Sequence, residues 1–273
     1  MSSQQDERAF LALTQKISQS RGVSCESYKD KCLKRRIAVR MRARGVHTYD
    51  AYSRLLDDDA REYEQLLDAI TINVTKFFRN AETWHALRPH LAALWAARRG
   101  RLRIWSAGCA SGEEPYTIAI LLSEVAGDHP IEHAYIDATD VDRLSLERTR
   151  QATYPESAFT EVPGDLRRRY FTEPSPPLPA ARQPIPPVRA LVRVTAHDLM
   201  RERPPHPPYD LVVCRNVVIY FERRAQERLF QVFVDALTPG GILLLGKVET
   251  LFGAARERLT LVDPRERIYT KPA

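Results

Sequence analysis

Residues 103–116, RIWSAGCASGEEPY, constrain the fold more than any other stretch of the chain. A short apolar run (Leu102, Ile104, Trp105) gives way to small residues from Ala107 to Gly112. An amphipathic stretch with Tyr116, Ile118, Ala119, Leu121 and Leu122 follows. The pattern predicts a buried strand, a tight turn and a helix whose free N–H groups face the turn. In open α/β sheets a ligand lies across such a turn, at the carboxyl end of the first strand. Gly108 and Gly112 are expected to let it approach the backbone closely. The spacing is not the G-x-G-x-x-G of a dinucleotide site, and no Lys-Ser/Thr pair follows to complete a phosphate loop. Glu113 and Glu114 stand where a phosphate would rest on the helix N-terminus. A ligand carrying positive charge is therefore favoured over a pyrophosphate, and S-adenosylmethionine, with its sulfonium and amino groups, fits.

The rest of the chain supplies the frame for such a site. Its 273 residues have room for one large domain or two modest ones, and 28% charged against 44% hydrophobic residues is ordinary for a soluble globular protein. No run approaches the roughly 18 apolar residues of a membrane span, and MSSQQDERAF lacks the apolar stretch of a signal peptide. The four cysteines (Cys25, Cys32, Cys109, Cys214) show no C-x-x-C spacing. Reduced thiols in a cytoplasmic protein, with no metal, are the expectation. AYIDATDVD, residues 134–142, predicts a second strand ending in acids, with Asp140 placed to accept from ribose hydroxyls and Asp142 to cap the next helix. YDLVVCRNVVIYF predicts a buried strand whose carboxyl end presents Arg215 and Asn216 on the same sheet edge as the small-residue turn. GILLLG and the two runs of LTLVDPRERIYTK complete a Rossmann-like sheet closed by an antiparallel hairpin, an arrangement of methyltransferases rather than dehydrogenases.

The net charge of +6 is concentrated between residues 29 and 44, where eight cations stand against Asp30 alone. Leu33, Ile37 and Met41 recur every four residues, so this stretch reads as a helix with one apolar stripe and a basic remainder, stopped by Gly45. A solvated face is one reading. Mutual repulsion among the cations favours an acidic partner: a nucleic-acid backbone, an acidic membrane or an acidic protein helix. Residues 50–72 read as two packing helices broken at Asp57–Asp59. On its own pattern TINVTKFFRN, residues 71–80, is a helix start with Asn73 or Thr75 as cap and Phe77 and Phe78 in the core. The basic linker 98–103 marks a boundary between a helical domain (1–97) and an α/β domain (98–273). Seven prolines between residues 174 and 187 exclude a regular element there. The flanking RRRYF and RALVRVT are expected to form a small inserted hairpin at about 160–195.

Taken together, NVTKFFRN, RIWSAGCASGEEPYTIAI, ATDVD, YDLVVCRNVVIYF and the basic helix KRRIAVRMRARG resemble the chemotaxis receptor glutamate methyltransferases of the CheR type, in that family's order and over nearly the whole chain. The resemblance implies an α/β fold: a Rossmann-like S-adenosylmethionine-dependent methyltransferase sheet with an N-terminal all-α domain and a small inserted β-subdomain. It implies that Asn73, Thr75 and Arg79 bind cofactor from the linker side, displacing the helix-start reading. Glu114 would hold the methionine amino group or a neighbouring polar atom and Asp140 the ribose. Asp198 and Leu199 would flank the adenine, with Arg215 and Asn216 under the methionine part and Gly108 in the turn. Arg79 and Tyr220 would line the reacting end as catalytic residues. Lys34, Arg35, Arg36, Arg40 and Arg42 would face the acidic helices of membrane chemoreceptors. Neither nucleic acid nor membrane insertion is expected, and without a long apolar seam the chain is read as a cytoplasmic monomer recruited to those receptors. One departure is GKVETL, where the family more often shows Gly-His-Ser-Glu, which puts roles at Lys247 and Val248 in question.

Overall fold

In the computed structural model, residues 3–21, 23–71, 75–173 and 181–273 are described. The chain opens with α1 (Ser3–Arg21), α2 (Asp30–Ala43), α3 (Tyr49–Asp58), α4 (Ala60–Thr71) and α5 (Ala81–Ala97). The sheet layer then runs β1 (Arg103–Ala107), α6 (Glu113–Ala126), β2 (Tyr135–Asp140) and α7 (Arg143–Gln151). After these come β3 (Tyr154–Pro155), α8 (Gly164–Tyr170), β4 (Ala181–Arg182), α9 (Pro186–Ala190), β5 (Val192–Ala196) and β6 (Tyr209–Cys214). The chain ends with α10 (Arg223–Ala236), β7 (Leu237–Leu245), α11 (Ala254–Glu257), β8 (Thr260–Asp263) and β9 (Ile268–Thr270).

Seven strands form one sheet in the order β5-β2-β1-β6-β7-β9-β8. The first five are parallel, and β9 and β8 join antiparallel. The apolar runs of the central strands are buried on both faces, as a parallel sheet covered by helices requires. Along β6, Val212 faces the core shared with α10 and the N-terminal helices, while Leu211 and Val213 face the core shared with α5 and α6. Trp105, fully buried on the first of these faces, stacks on Tyr209 at 5.5 Å and donates its indole N–H to the Thr139 hydroxyl at 2.8 Å. The chain reverses its direction of travel across the sheet between β1 and β6, so the crevice outside their carboxyl ends is where such sheets bind ligands.

Three expectations need correction. Helix α5 belongs by packing with the sheet: Trp84, Leu87 and Leu91 share a core with Ile104, Ile118 and Leu122. The helical layer therefore ends at Thr71 rather than at Ala97, because the apolar stripe of α5 faces α6. RRRYF is not a strand. Leu166 and Tyr170 recur at helical spacing within α8, and Asp165 pairs with Arg169 one turn on, so the arginines splay outward from a helix. RALVRVT splits into the end of α9 and β5, which is the edge strand of the main sheet, parallel to β2. The inserted antiparallel ribbon is the short pair β3–β4, extended by a bridge between Phe171 and Pro184. Of the proline-rich stretch, residues 174–180 lie outside the described residues, and Pro186 and Pro187 open α9, where a missing N–H costs nothing.

Candidate active site

A cleft of about 1140 Å³, its open mouth included, lies over the carboxyl ends of β1, β2, β5 and β6. Its floor is built by the strand ends: Gly108, Cys109 and Ala110 after β1, Asp140 and Val141 at β2, His197 to Leu199 after β5, and Arg215 to Val217 after β6. Its roof comes from outside the sheet. Val23, Ser24 and Tyr28 arrive from the connection between α1 and α2, and Thr71, Thr75 and Arg79 from the passage between α4 and α5.

Two groups of contacts organise the cleft. At one end Asp140 accepts from the Ala110 N–H at 2.9 Å and the Asp142 N–H at 3.0 Å, which holds the turn after β1 against the end of β2. Nearby, Asp198 takes the Ser24 hydroxyl at 2.7 Å, tying the helical layer to the loop after β5. At the other end Glu114 accepts from the Ser106 hydroxyl at 2.9 Å and lies 3.7 Å from Arg215. Arg215 in turn donates to the Arg79 carbonyl at 2.9 Å and to Asn80 Oδ1 at 3.1 Å, and its guanidinium stands over the Trp84 ring.

Burial governs the charges of both acids. It pushes Glu114 up to about 7, against the pull of Arg215 and the Ser106 hydroxyl. It likewise pushes Asp140 up to about 6, against the backbone N–H bonds from Asp142, Ala110 and Val141. Two buried carboxylates held reluctant to ionise, in one cleft, are the signature of a site that waits for complementary charge or donors. A ligand with an ammonium group for Glu114, hydroxyls for Asp140 and a flat apolar ring against Val23, Val141 and Leu199 satisfies that donor set. S-adenosylmethionine has all three.

The neighbouring glycines do different work from the expectation. Gly108 lines the cleft at φ 83°, but an added Cβ would come within 2.6 Å of Val217, so its missing side chain makes room for protein rather than ligand. Gly112 stands outside the lining, at φ 99°, and a Cβ there would meet Thr149 at 2.6 Å and the Tyr154 hydroxyl at 2.7 Å. Glu113 is also outside the cleft lining and takes the Ser111 hydroxyl at 2.8 Å.

The all-alpha domain model of the CheR methyltransferases matches residues 8–71, and their SAM binding domain model matches residues 73–268. The chain belongs to the CheR methyltransferase family. A chemotaxis protein methyltransferase of Listeria innocua is 33% identical over 250 residues, covering 91% of this chain and 92% of its own length. One from Escherichia coli is 31% identical over 258 residues, covering 92% and 87%. The chain is an S-adenosylmethionine-dependent methyltransferase of chemotaxis signalling.

The cleft of this CheR methyltransferase brings together Thr75, Arg79, Gly108, Glu114, Asp140, Asp198, Leu199, Arg215, Asn216 and Tyr220. Asn73 lies outside the described residues. Thr75 does not cap a helix: the next helix, α5, begins at Ala81, and Phe77 is buried among Tyr154, Phe159 and Phe171. Lys247 pairs with Glu266 at 3.2 Å, and Val248 is 71% exposed, so neither side chain enters the CheR cleft.

The basic helix differs most from its expectation. Other helices supply the acids that α2 lacks. Arg40 makes a two-pronged pair with the fully buried Glu62, at 3.0 and 2.6 Å, and Lys34 meets Glu7 at 2.5 Å. Arg36 is buried. Arg36 is therefore an interior side chain and Arg40 a half-buried one, because they sit on the side of α2 that packs against α4 and the Tyr220 turn. Arg35 and Arg42 remain exposed, two turns apart, with Val39 between them 49% exposed.

Ser24 and Tyr28 in the cleft lining, and Glu249 behind it, are not among the residues expected from the sequence. The Glu249 carboxylate accepts backbone N–H bonds from Gly246 at 2.7 Å, Asn216 at 2.9 Å, Val217 at 2.9 Å and Ile219 at 3.3 Å. It fixes the turn that carries Arg215, Asn216 and Tyr220. The available signal is an acid four residues past an apolar strand on the ligand edge.

Proposed function

We propose that this methyltransferase transfers the methyl group of S-adenosylmethionine to glutamate side chains of chemoreceptor helices at the cytoplasmic face of the membrane, forming methyl esters. The observation that carries the reading is the cationic lining of the cleft that holds Glu114: among the described residues, Lys76, Arg79 and Arg215 line it together with Tyr220. An amine acceptor must lose a proton before it attacks, whereas a glutamate, with an ordinary pKa of about 4.3, is already a nucleophile at neutral pH. Cations at the acceptor end favour the carboxylate and disfavour an ammonium.

When bound, S-adenosylmethionine supplies an electrophilic methyl on a sulfonium. The chain contributes alignment, which in well-oriented reactions is worth roughly 7–11 kcal/mol. Arg79 orients the acceptor by charge-assisted hydrogen bonding, and Tyr220 bounds the same end. Carboxylate and sulfonium neutralise one another in the product, so a roof that excludes water favours transfer. The test is transfer of labelled methyl to receptor-bearing membranes followed by mild alkali. Release as volatile methanol supports an ester; label retained on protein or lost to nucleic acid fractions overturns it.

Cofactor affinity should depend on pH through Glu114. Its empty-site pKa of about 7 means that above this pH the carboxylate is charged and attracts the ammonium. As pH falls through 7 it takes up a proton and that attraction goes, so affinity weakens by up to about tenfold per pH unit. Asp140, at about 6, adds a further loss below it. Calorimetric titration between pH 8 and 6 should show this slope, and Glu114→Gln should flatten its upper part. A wild-type affinity constant across that range removes Glu114 from the ammonium.

Receptor engagement is assigned to the exposed face of α2. Arg35→Glu with Arg42→Glu should slow methylation about tenfold at low salt, with cofactor affinity unchanged. The wild-type rate should fall with added salt, and the variant's should be nearly salt-independent. A salt-insensitive wild-type rate returns this face to plain solvation.

A further inference from the structure

The inner side of α2 makes a contact that neither cofactor binding nor receptor recognition uses. Arg36, 7% exposed, places its guanidinium 4.6 Å from the centre of the Tyr220 ring. Nη1 donates to the Ile70 carbonyl; Nη2 is buried and has no hydrogen-bond partner among the described residues. No carboxylate of the described residues pairs with it, and burial pulls its pKa below the ordinary guanidinium range. A buried cation without a counter-ion is costly, and its return here is the face of one aromatic ring.

The same helix face holds that ring's backbone as well. Lys29 stands seven residues before Arg36, two helical turns along one side. Its N–H donates to the Tyr220 carbonyl at 2.9 Å and its ammonium to the Ile219 carbonyl at 2.7 Å. Tyr28 and Phe221 bridge beside them, with ring centres 4.9 Å apart, and the Glu222 N–H donates to the Ser27 carbonyl at 2.8 Å. From the sheet side, Glu249 holds the N–H groups of Val217 and Ile219. The turn that carries Tyr220 into the cleft is thus gripped from both layers, and among the described residues Arg36 is the cation that lies over the ring itself.

We infer that Arg36 is a positioning residue for methyl transfer: it fixes the Tyr220 ring at the acceptor end of the cleft, and so acts on turnover from the helical domain without touching cofactor or receptor. The inference rests on the glutamate reading above, in which Tyr220 faces the accepting carboxylate. It also separates two arginines adjacent in sequence. Arg35 points outward to the receptor, and Arg36 inward to the ring.

The test is a double-mutant cycle on methylation of receptor-bearing membranes. Arg36→Met keeps an unbranched side chain in the packed site and removes the cation. It should lower kcat between about 10- and 100-fold while the receptor KM and cofactor Kd stay within about twofold. Arg36→Lys, which retains a cation over the ring, should recover part of the loss. In a Tyr220→Ala background, Arg36→Met should change kcat by less than about threefold, since its means of action is gone.

Multiplicative losses in that background overturn the inference, as does a raised receptor KM with kcat unchanged, which would mark a direct receptor contact. A kcat unaffected by Arg36→Met overturns it as well. Thermal melting checks that each variant folds. Should Arg36→Met fail to fold, Arg36→Gln carries the same cycle. Wild-type enzyme that produces no base-labile methyl overturns the glutamate reading and this inference together; base-labile methyl with multiplicative losses overturns this inference alone.

Discussion

Glu249→Ala should lower the unfolding free energy by about 3–5 kcal/mol and abolish both cofactor binding and methyl transfer. The residue is buried, and its carboxylate accepts from four backbone N–H groups, three in the turn after β6 and that of Gly246 just after β7. Each donor left unpaired costs about 1–3 kcal/mol before relaxation. Domains of this kind have only about 5–15 kcal/mol in hand, so the loss is a large share of the total. The same turn holds Asn216 in the left-handed region at φ 60°, a conformation this carboxylate's bonds to Asn216 and Val217 help maintain. Gly246 is part of the arrangement, since a Cβ there would lie 2.6 Å from the Glu249 carboxylate. Glu249→Gln preserves the volume but turns an NH₂ group toward N–H donors, and should fall between wild type and alanine. Urea denaturation with a parallel cofactor titration checks both variants. An unchanged midpoint for Glu249→Ala would show that the turn stands without the carboxylate.

Arg79→Ala should cut turnover about 100-fold or more while weakening cofactor affinity much less. Two contacts that Arg79 gives the architecture run through its backbone: its carbonyl accepts from Arg215 at 2.9 Å and from the Trp84 indole at 3.0 Å, and alanine keeps both. The side chain lines the cleft near enough to Glu114 and Arg215 for its charge to lower both their pKa values. Arg79→Lys keeps the charge without the planar fork and should recover only part of the rate if geometry matters more than field. Single-turnover rates beside equilibrium cofactor binding distinguish the cases. Equal losses in rate and affinity would assign the side chain to the cofactor; an unchanged rate would remove it from the chemistry.

How legible these residues were in the sequence depended on how locally each is determined. The strand–turn–helix from Arg103 onward could be read from pattern alone, as could Asp140, Arg215 and Asn216, because a strand end on the ligand edge is a local fact. Thr75 and Arg79 could not: their local pattern is that of a helix start, and the family resemblance alone pointed to the cleft. Ser24 and Asp198 meet across 174 positions of chain, a relation no window of sequence contains. The charge run of α2 was visible, but its acids were not, since Glu7, Asp59 and Glu62 arrive from three different parts of the helical layer. RRRYF was misread because a short apolar pair beside prolines looks like strand until the four-residue spacing of Leu166 and Tyr170 is weighed against it.

The roof supplied by Val23, Ser24 and Tyr28 has a thermodynamic consequence. A ligand enclosed between floor and roof recognises only molecules in which both layers are folded and docked, so its binding energy belongs to neither layer alone. At a free concentration 100 times its Kd it adds about 2.7 kcal/mol to the joined state and nothing to a molecule whose helical layer has melted away. Saturation with methyl donor therefore fuses two units that would melt separately into one cooperative transition. The cell's supply of that donor then bears on how long the enzyme survives as well as on how fast it works.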